Sequence, residues 1–150
     1  MESTKIPELP PDHNLAINHA WIWGRAAMAH AIRVREGGGI SEAHQLLVAL
    51  RQVERATEMA QRGSLKKHEA QQILNSAVRQ FKADLPGLVD ARDIIEHFDK
   101  YRYEVRIDGP SWEESIIRVN TISIEVNKVV DAVDLLFRRM FKAAQVEDGD

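Results

Sequence analysis

Apolar residues recur along most of the chain at the spacing of an amphipathic helix. The clearest stripe is the last one, where Val126, Val129, Val133, Leu136 and Met140 keep to one face. Glycine- and proline-containing breaks separate the earlier stripes: Gly37-Gly38-Gly39, Gly63-Ser64 and Leu85-Pro86-Gly87. The predicted helices run over about 12–35, 41–60, from Ser64 to about 84, 88–101, and from 126 to about 144. Short connections between such helices indicate an antiparallel bundle.

The pattern changes between about Glu104 and Ile124. Val105-Arg106-Ile107 alternates between apolar and polar, and so does the run Val119 to Ile124, with a turn at Asp108-Gly109-Pro110 between them. Alternation of this kind indicates a short β-hairpin, with continued helix as the other interpretation. We therefore expect an all-α fold of four to five antiparallel helices with room for one hairpin.

The chain is predicted to form one domain. Its 150 residues fit a single core. Residues 1–11 contain three prolines and are predicted to be an extended arm, 12–144 the bundle, with Asp12 capping the first helix, and 145–150 a disordered acidic tail.

Composition narrows the function classes. There is no cysteine, which excludes a disulfide framework and a thiol nucleophile and suits the cytoplasm. The N-terminus lacks the pattern of a signal peptide, and the stretch Leu15–Val34 carries too many polar residues for a membrane span, so no membrane association is expected. A formal net charge of −3 argues against DNA binding, and any RNA site would need a local basic patch.

Most familiar chemical motifs are absent from the sequence. It contains no phosphate-binding glycine loop, no His-Glu-x-x-His pair and no nucleophile elbow. The six histidines are scattered without ligand-like spacing. We expect neither a metal site nor a cofactor.

One segment of the predicted fourth helix collects polar residues around Arg92 and His97. Asp93 lies four residues before His97, and Arg92 lies four before Glu96, so each pair can meet on the helix surface. Arg92 and His97 are five apart and point roughly 140° away from each other, flanking a groove that a ligand or a second subunit could occupy.

The segment Arg92-Asp93-Ile94-Ile95-Glu96-His97 resembles the arginine–polar–x3–histidine motif of HEPN domains (higher eukaryotes and prokaryotes nucleotide-binding). These are small helical proteins, many of them ribonucleases of toxin–antitoxin, defence and RNA-processing systems. The resemblance implies a metal-independent endoribonuclease that works as a homodimer with a composite site. It covers six specific residues and departs at Asp99, where the branch modified by a partner nucleotidyltransferase has tyrosine.

The resemblance implies a role for each motif residue. His97 would be the general acid and base, Arg92 would bind the phosphate and its transition-state charge, and Asp93 would orient His97. Nearby RNA contacts would come from Lys100, Tyr101 and Arg102.

Three other interpretations stay open. The motif residues could form only a surface ladder of ion pairs. The chain could be a non-catalytic interaction or regulatory module for a cognate protein partner. It could also bind a small ligand through its first helix, which holds His19, Trp21 and Trp23.

Overall fold

The computed structural model describes residues 13–63, 65–100, 102–109, 111 and 114–149. The fold is mostly helical, as predicted, with a small antiparallel sheet late in the chain. The elements within these ranges are, in order, α1 His13–Arg35, α2 Ile40–Gln61, α3 His68–Asp84, α4 Leu88–Glu96, β1 Val105–Asp108, β2 Ile116–Val119, β3 Ile122–Glu125 and α5 Val126–Asp148.

Four long helices build most of the core. Helix α1 packs against α2 and α5, and α3 packs against α5. Small residues allow the close approach of α1, whose buried face is largely alanine. Gly24 marks the tightest crossing, because a Cβ atom there would lie 2.6 Å from the ring of Phe137 on α5. The α1–α5 junction is therefore dense and apolar at its centre.

The strands form a three-stranded meander in the order β1-β2-β3, so the predicted hairpin is corrected to a sheet. Val105 pairs with Val119, and Ile117 pairs with Ile124. The run Val119–Ile124 had the alternation of one strand, but it contains a turn at Asn120, whose φ is +54°. Asparagine tolerates this left-handed conformation, and a second strand can therefore start within a few residues.

Helix α4 ends at Glu96, about five residues earlier than predicted. His97 leaves the helical path with φ −109° and ψ 43°, while its N–H still donates to the carbonyl of Asp93. On a helix that continued to residue 101, the apolar stripe predicts that Phe98 faces inward, and this is wrong, since the side chain is 71% exposed. Tyr101, the predicted helix end, lies outside the described residues.

The neighbouring ends of α3 and α5 also differ from the prediction. Helix α3 begins at His68, and the carboxylate of Glu147 accepts hydrogen bonds from the backbone N–H groups of Lys66 and Lys67 just before it. Because this contact holds the end of α5, the predicted disordered tail is helical as far as Asp148. The N-terminal arm and the capping residue Asp12 lie outside the described residues.

Candidate functional site

The motif residues lie on and just after α4, which packs against α2. Arg92 points toward α2 and its side chain is only 13% exposed. Asp93, His97, Lys100 and Arg102 are exposed. Tyr101 lies outside the described residues. The structure thus separates one inward-facing arginine from a set of groups that face solvent.

Within the described residues, the contacts of Arg92 with carboxylates are ion pairs and not hydrogen bonds. Its Nε lies 3.6 Å from Oε2 of Glu54 and 3.8 Å from Oδ1 of Asp93, and both distances exceed hydrogen-bonding range. Its Nε and Nη1 are buried and have no hydrogen-bond partner within the part of the chain that the structure describes. The guanidinium therefore keeps donors that remain to be satisfied.

Glu54 on α2 is the residue of this cluster that the sequence analysis missed. Its side chain is 3% exposed, and burial raises the pKa of its carboxyl, although Arg92 and Arg51 act in the opposite direction. The signal for it was its register: Glu54 falls four residues after Leu50 and seven after Leu47, on the apolar stripe of α2. A carboxylate on such a stripe requires a cationic partner from another element.

Apart from the contact between Arg92 and Asp93, the ion pairs of α4 run to α2. The predicted Arg92–Glu96 pair is not formed, because the Nε of Arg51 on α2 donates to Oε1 of Glu96 at 3.1 Å. The predicted Asp93–His97 pair is also wrong: only the backbone groups of these residues bond, and Asp93 lies beside Arg92. The backbone of His97 still lies one turn after Asp93, so it is the side-chain contact with Arg92, and not helix geometry, that distinguishes the observed pairing from the predicted one.

A small cavity lies between α2 and α4. It has a volume of about 170 Å³ and its walls are formed by Leu47, Val48, Arg51, Gln52, Arg92, Ile95 and Glu96. His97 is not among its walls, so this cavity does not bring Arg92 and His97 together. Arg102 instead lines a shallow depression with Phe98, Tyr103, Glu104 and Asn120.

A groove larger than the α2–α4 cavity runs along the surface of the α1–α5 junction. It measures about 450 Å³ and is lined by Trp21, Arg25, Met28, Ala29, Ile32, Asp134, Phe137, Arg138 and Phe141. The ring of Trp21 meets Phe137 edge-on at 5.0 Å, and the guanidinium of Arg25 lies 5.5 Å from the Trp21 ring centre. The histidines of α1 do not contribute to its walls; His30 instead contacts Glu42 at 2.6 Å.

Among the residues described, no three histidine or acidic side chains are arranged to hold a metal ion. The helices within the described ranges include none with the length and apolar character needed to cross a membrane. Comparison with protein-family models, curated proteins and solved structures finds no match to this chain.

Proposed function

We propose that this chain is a metal-independent endoribonuclease of the HEPN type, in which Arg92 and His97 of two subunits form one site. The observation that carries this assignment is the hydrogen bonding and the exposure of the Arg92 and His97 side chains. Arg92 has buried N–H donors without acceptors, and the ring of His97, one residue past the same helix, is exposed and makes no hydrogen bond to the other described residues. An anion receptor and an available acid–base group therefore lie on one short element.

Exposed apolar side chains around α4 support a subunit interface there. Val48 on α2, Val89 on α4 and Phe98 after α4 are all large and exposed. Because a composite site needs a second chain, a two-fold axis near α4 would cover these side chains. It would also place His97 of one subunit near Arg92 of the other.

The chemistry assigns one task to each side chain. His97 would accept the ribose 2′-hydroxyl proton and return a proton to the leaving 5′-oxygen. Arg92 would stabilise the charge that builds on the phosphate. Asp93, which lies beside Arg92, would position that guanidinium in place of the imidazole. Lys100 and Arg102, both exposed, would contact neighbouring phosphates of a single-stranded RNA.

The direct test is cleavage of single-stranded RNA by the purified protein in the presence of EDTA. We expect products with 2′,3′-cyclic phosphate ends and no cleavage of DNA, which lacks the attacking hydroxyl. His97→Gln should lower the rate at least about 10²-fold. The control is His19→Gln, which changes an exposed histidine on α1 and should leave the rate unchanged. A rate that survives His97→Gln contradicts the assignment.

Arg92 needs a gentler substitution than alanine because Glu54 depends on it. Arg92→Lys keeps the positive charge but removes the planar donor fork. We expect a rate loss of about 10²–10³-fold with the thermal midpoint little changed. Sedimentation at tens of micromolar should show a dimer, and a monomer that cleaves RNA would contradict the composite site.

The α1–α5 groove favours a second candidate function, the binding of a small apolar ligand. Its volume lies within the range of about 300–1,000 Å³ that is usual for small-molecule sites, and its walls are aromatic and aliphatic. An apolar fluorescent dye should bind there and quench Trp21. Ile32→Asp should abolish this binding, whereas Val48→Asp, on another exposed surface, should not.

A further inference from the structure

Buried donors without acceptors concentrate at one place, between α2 and α4. They are Nη1 of Arg51 together with Nε and Nη1 of Arg92, and no other side-chain nitrogen within the described residues is buried in this state. Both arginines line the same cavity of about 170 Å³. Oε1 of Glu54, in the same cluster, is likewise buried without a donor. Buried polar groups are normally hydrogen-bonded, so among the described residues this cluster keeps hydrogen-bonding groups that a ligand can satisfy.

The neighbouring carboxylates do not satisfy these donors. Among the described residues, Glu96 accepts only from Nε of Arg51, at 3.1 Å. Glu58 approaches Nη1 of Arg51 to 3.9 Å, and Glu54 approaches Nε of Arg92 to 3.6 Å, both too far for a hydrogen bond. Two guanidiniums from different helices thus line one cavity and carry donors without acceptors among the described residues, and a pair of guanidiniums can bind a tetrahedral oxyanion.

We propose that the α2–α4 cavity binds a phosphate group through Arg51 and Arg92 together. The ligand class is a phosphate ester, and its identity as an RNA phosphodiester rests on the proposed function. Arg51 would then be a second phosphate-binding residue, on a helix outside the motif. It would hold the phosphate from the α2 side while Arg92 holds it from α4.

Charge in the cavity is compatible with an anion when Glu54 is neutral. This carboxyl is faced by Arg92 from α4, by Arg51 and Glu58 from α2, and by Lys82 from α3. Burial raises its pKa despite the three cations, so the fold disfavours its ionised form. The charged walls of the cavity are Arg51, Arg92 and Glu96, two cations and one carboxylate. Glu58 and Asp93 are not among these walls but lie 3.9 Å and 3.8 Å from the two guanidiniums.

The test is titration of the full-length protein with inorganic phosphate, followed by the arginine Nε–H signals in ¹⁵N NMR. Potassium chloride at matched ionic strength is the reference. We expect saturable shifts of two arginine signals, and at least about a tenfold weaker affinity in Arg51→Gln. Arg55→Gln changes an exposed arginine one turn along α2 and should bind as the wild type does. Arg51→Lys, which retains the charge, should recover part of the affinity.

Two results would overturn the proposal. The absence of saturable shifts in the folded wild type would mean that water fills the cavity. Equal phosphate affinity in Arg51→Gln and wild type would remove Arg51 from the site. Circular dichroism of each variant shows that the fold is retained.

The ribonuclease assignment can fail separately. Phosphate binding that depends on Arg51, in a protein that cleaves no RNA, contradicts the ribonuclease and supports the oxyanion site. RNA cleavage that requires Arg92 and His97, with kcat and KM unchanged by Arg51→Gln, overturns the proposed role of Arg51 and leaves the ribonuclease intact.

Discussion

Two helix junctions of this protein use their space in opposite ways. At the α1–α5 junction, Gly24 lets the Phe137 ring approach α1 closely, and the contact is apolar. At the α2–α4 junction, Arg92 and Glu54 face each other at 3.6 Å without a hydrogen bond, beside a cavity. The first arrangement stabilises the fold, whereas the second leaves polar groups unsatisfied. Natural proteins tolerate such local conflicts mainly at functional sites, which is why we assign chemistry to the second junction.

The difference also appears at the surface. The α1–α5 groove exposes aromatic and aliphatic side chains with few polar groups, as a recognition surface does. The α2–α4 cavity carries two arginines and Glu96 in a smaller volume. Variants at the α1–α5 junction should therefore change mainly the free energy of unfolding. Variants at the α2–α4 junction should change ligand binding and the pH dependence of stability.

The largest effect is expected at the α1–α5 junction. Phe137→Ala should lower the free energy of unfolding by about 3–5 kcal/mol, because the substitution leaves a cavity against Gly24 and Trp21. Urea denaturation measures this. Phe141→Ala in the same groove is the control. The ring of Phe141 is partly exposed, so its loss should lower the free energy of unfolding by a smaller amount. Equal losses for the two variants would show that Phe137 does not lie at a packed centre of this junction.

A smaller loss is expected at the α2–α4 junction. Arg92→Ala should lower the free energy of unfolding by about 1–3 kcal/mol at neutral pH, because it removes a cation facing buried Glu54. In a Glu54→Gln background, Arg92→Ala should lower the free energy of unfolding by a smaller amount, since no carboxylate remains to be neutralised. Urea denaturation of the wild type, the two single variants and the double variant gives the interaction free energy between Arg92 and Glu54. Strict additivity would mean that the two side chains do not interact.

Glu54 itself should destabilise the protein at neutral pH. Its pKa is raised by burial, so the folded state binds a proton more tightly than the unfolded state does, and ionisation at higher pH costs stability. Glu54→Gln should therefore be more stable than the wild type at pH 7. This advantage should shrink as pH falls through the folded pKa and vanish below the unfolded value of about 4.5. A constant difference from pH 4 to pH 8 would contradict this linkage.

The smallest effect, of opposite sign, is expected at Glu147. Desolvation raises the pKa of this carboxyl, but hydrogen bonds from the backbone N–H groups of Lys66 and Lys67 and the charges of His13 and Lys67 lower it overall. Its stabilisation is thus present above the unfolded value and lost as pH falls through the folded pKa. Glu147→Gln should be less stable than the wild type at pH 7 and equal to it in acid. Thermal unfolding at both pH values measures the difference.

Much of the helical framework was predictable because the apolar period is strong. The start of α4 at Leu88 and of α5 at Val126 agree with the pattern, and α1 ends at Arg35 as predicted. The boundaries that failed depend on distant residues. Helix α3 begins just after Lys67, whose backbone N–H donates a hydrogen bond to the carboxylate of Glu147 on α5. Nothing in the local sequence near Ser64 predicts this contact.

The candidate site was only partly predictable. Arg92 and His97 were identified as a pair on one helix, and the structure places one inward and the other on the surface. The pairing predicted from i,i+4 spacing was wrong because α2 offered closer partners. Arg51 competes successfully for Glu96, and Glu54 for Arg92. The spacing of residues along one helix does not predict which charged side chains of another helix pack against it.

The sequence by itself determined which segments become helices and which face of each is apolar, because these follow from local periodicity. It also determined which chemical groups α4 carries. Only the tertiary structure decided which of these groups are buried and which find hydrogen-bond partners. The packing of α2 against α4 buried Glu54 and Arg92 and opened a cavity with unsatisfied donors, since burial and hydrogen-bond geometry depend on elements that are far apart in the chain.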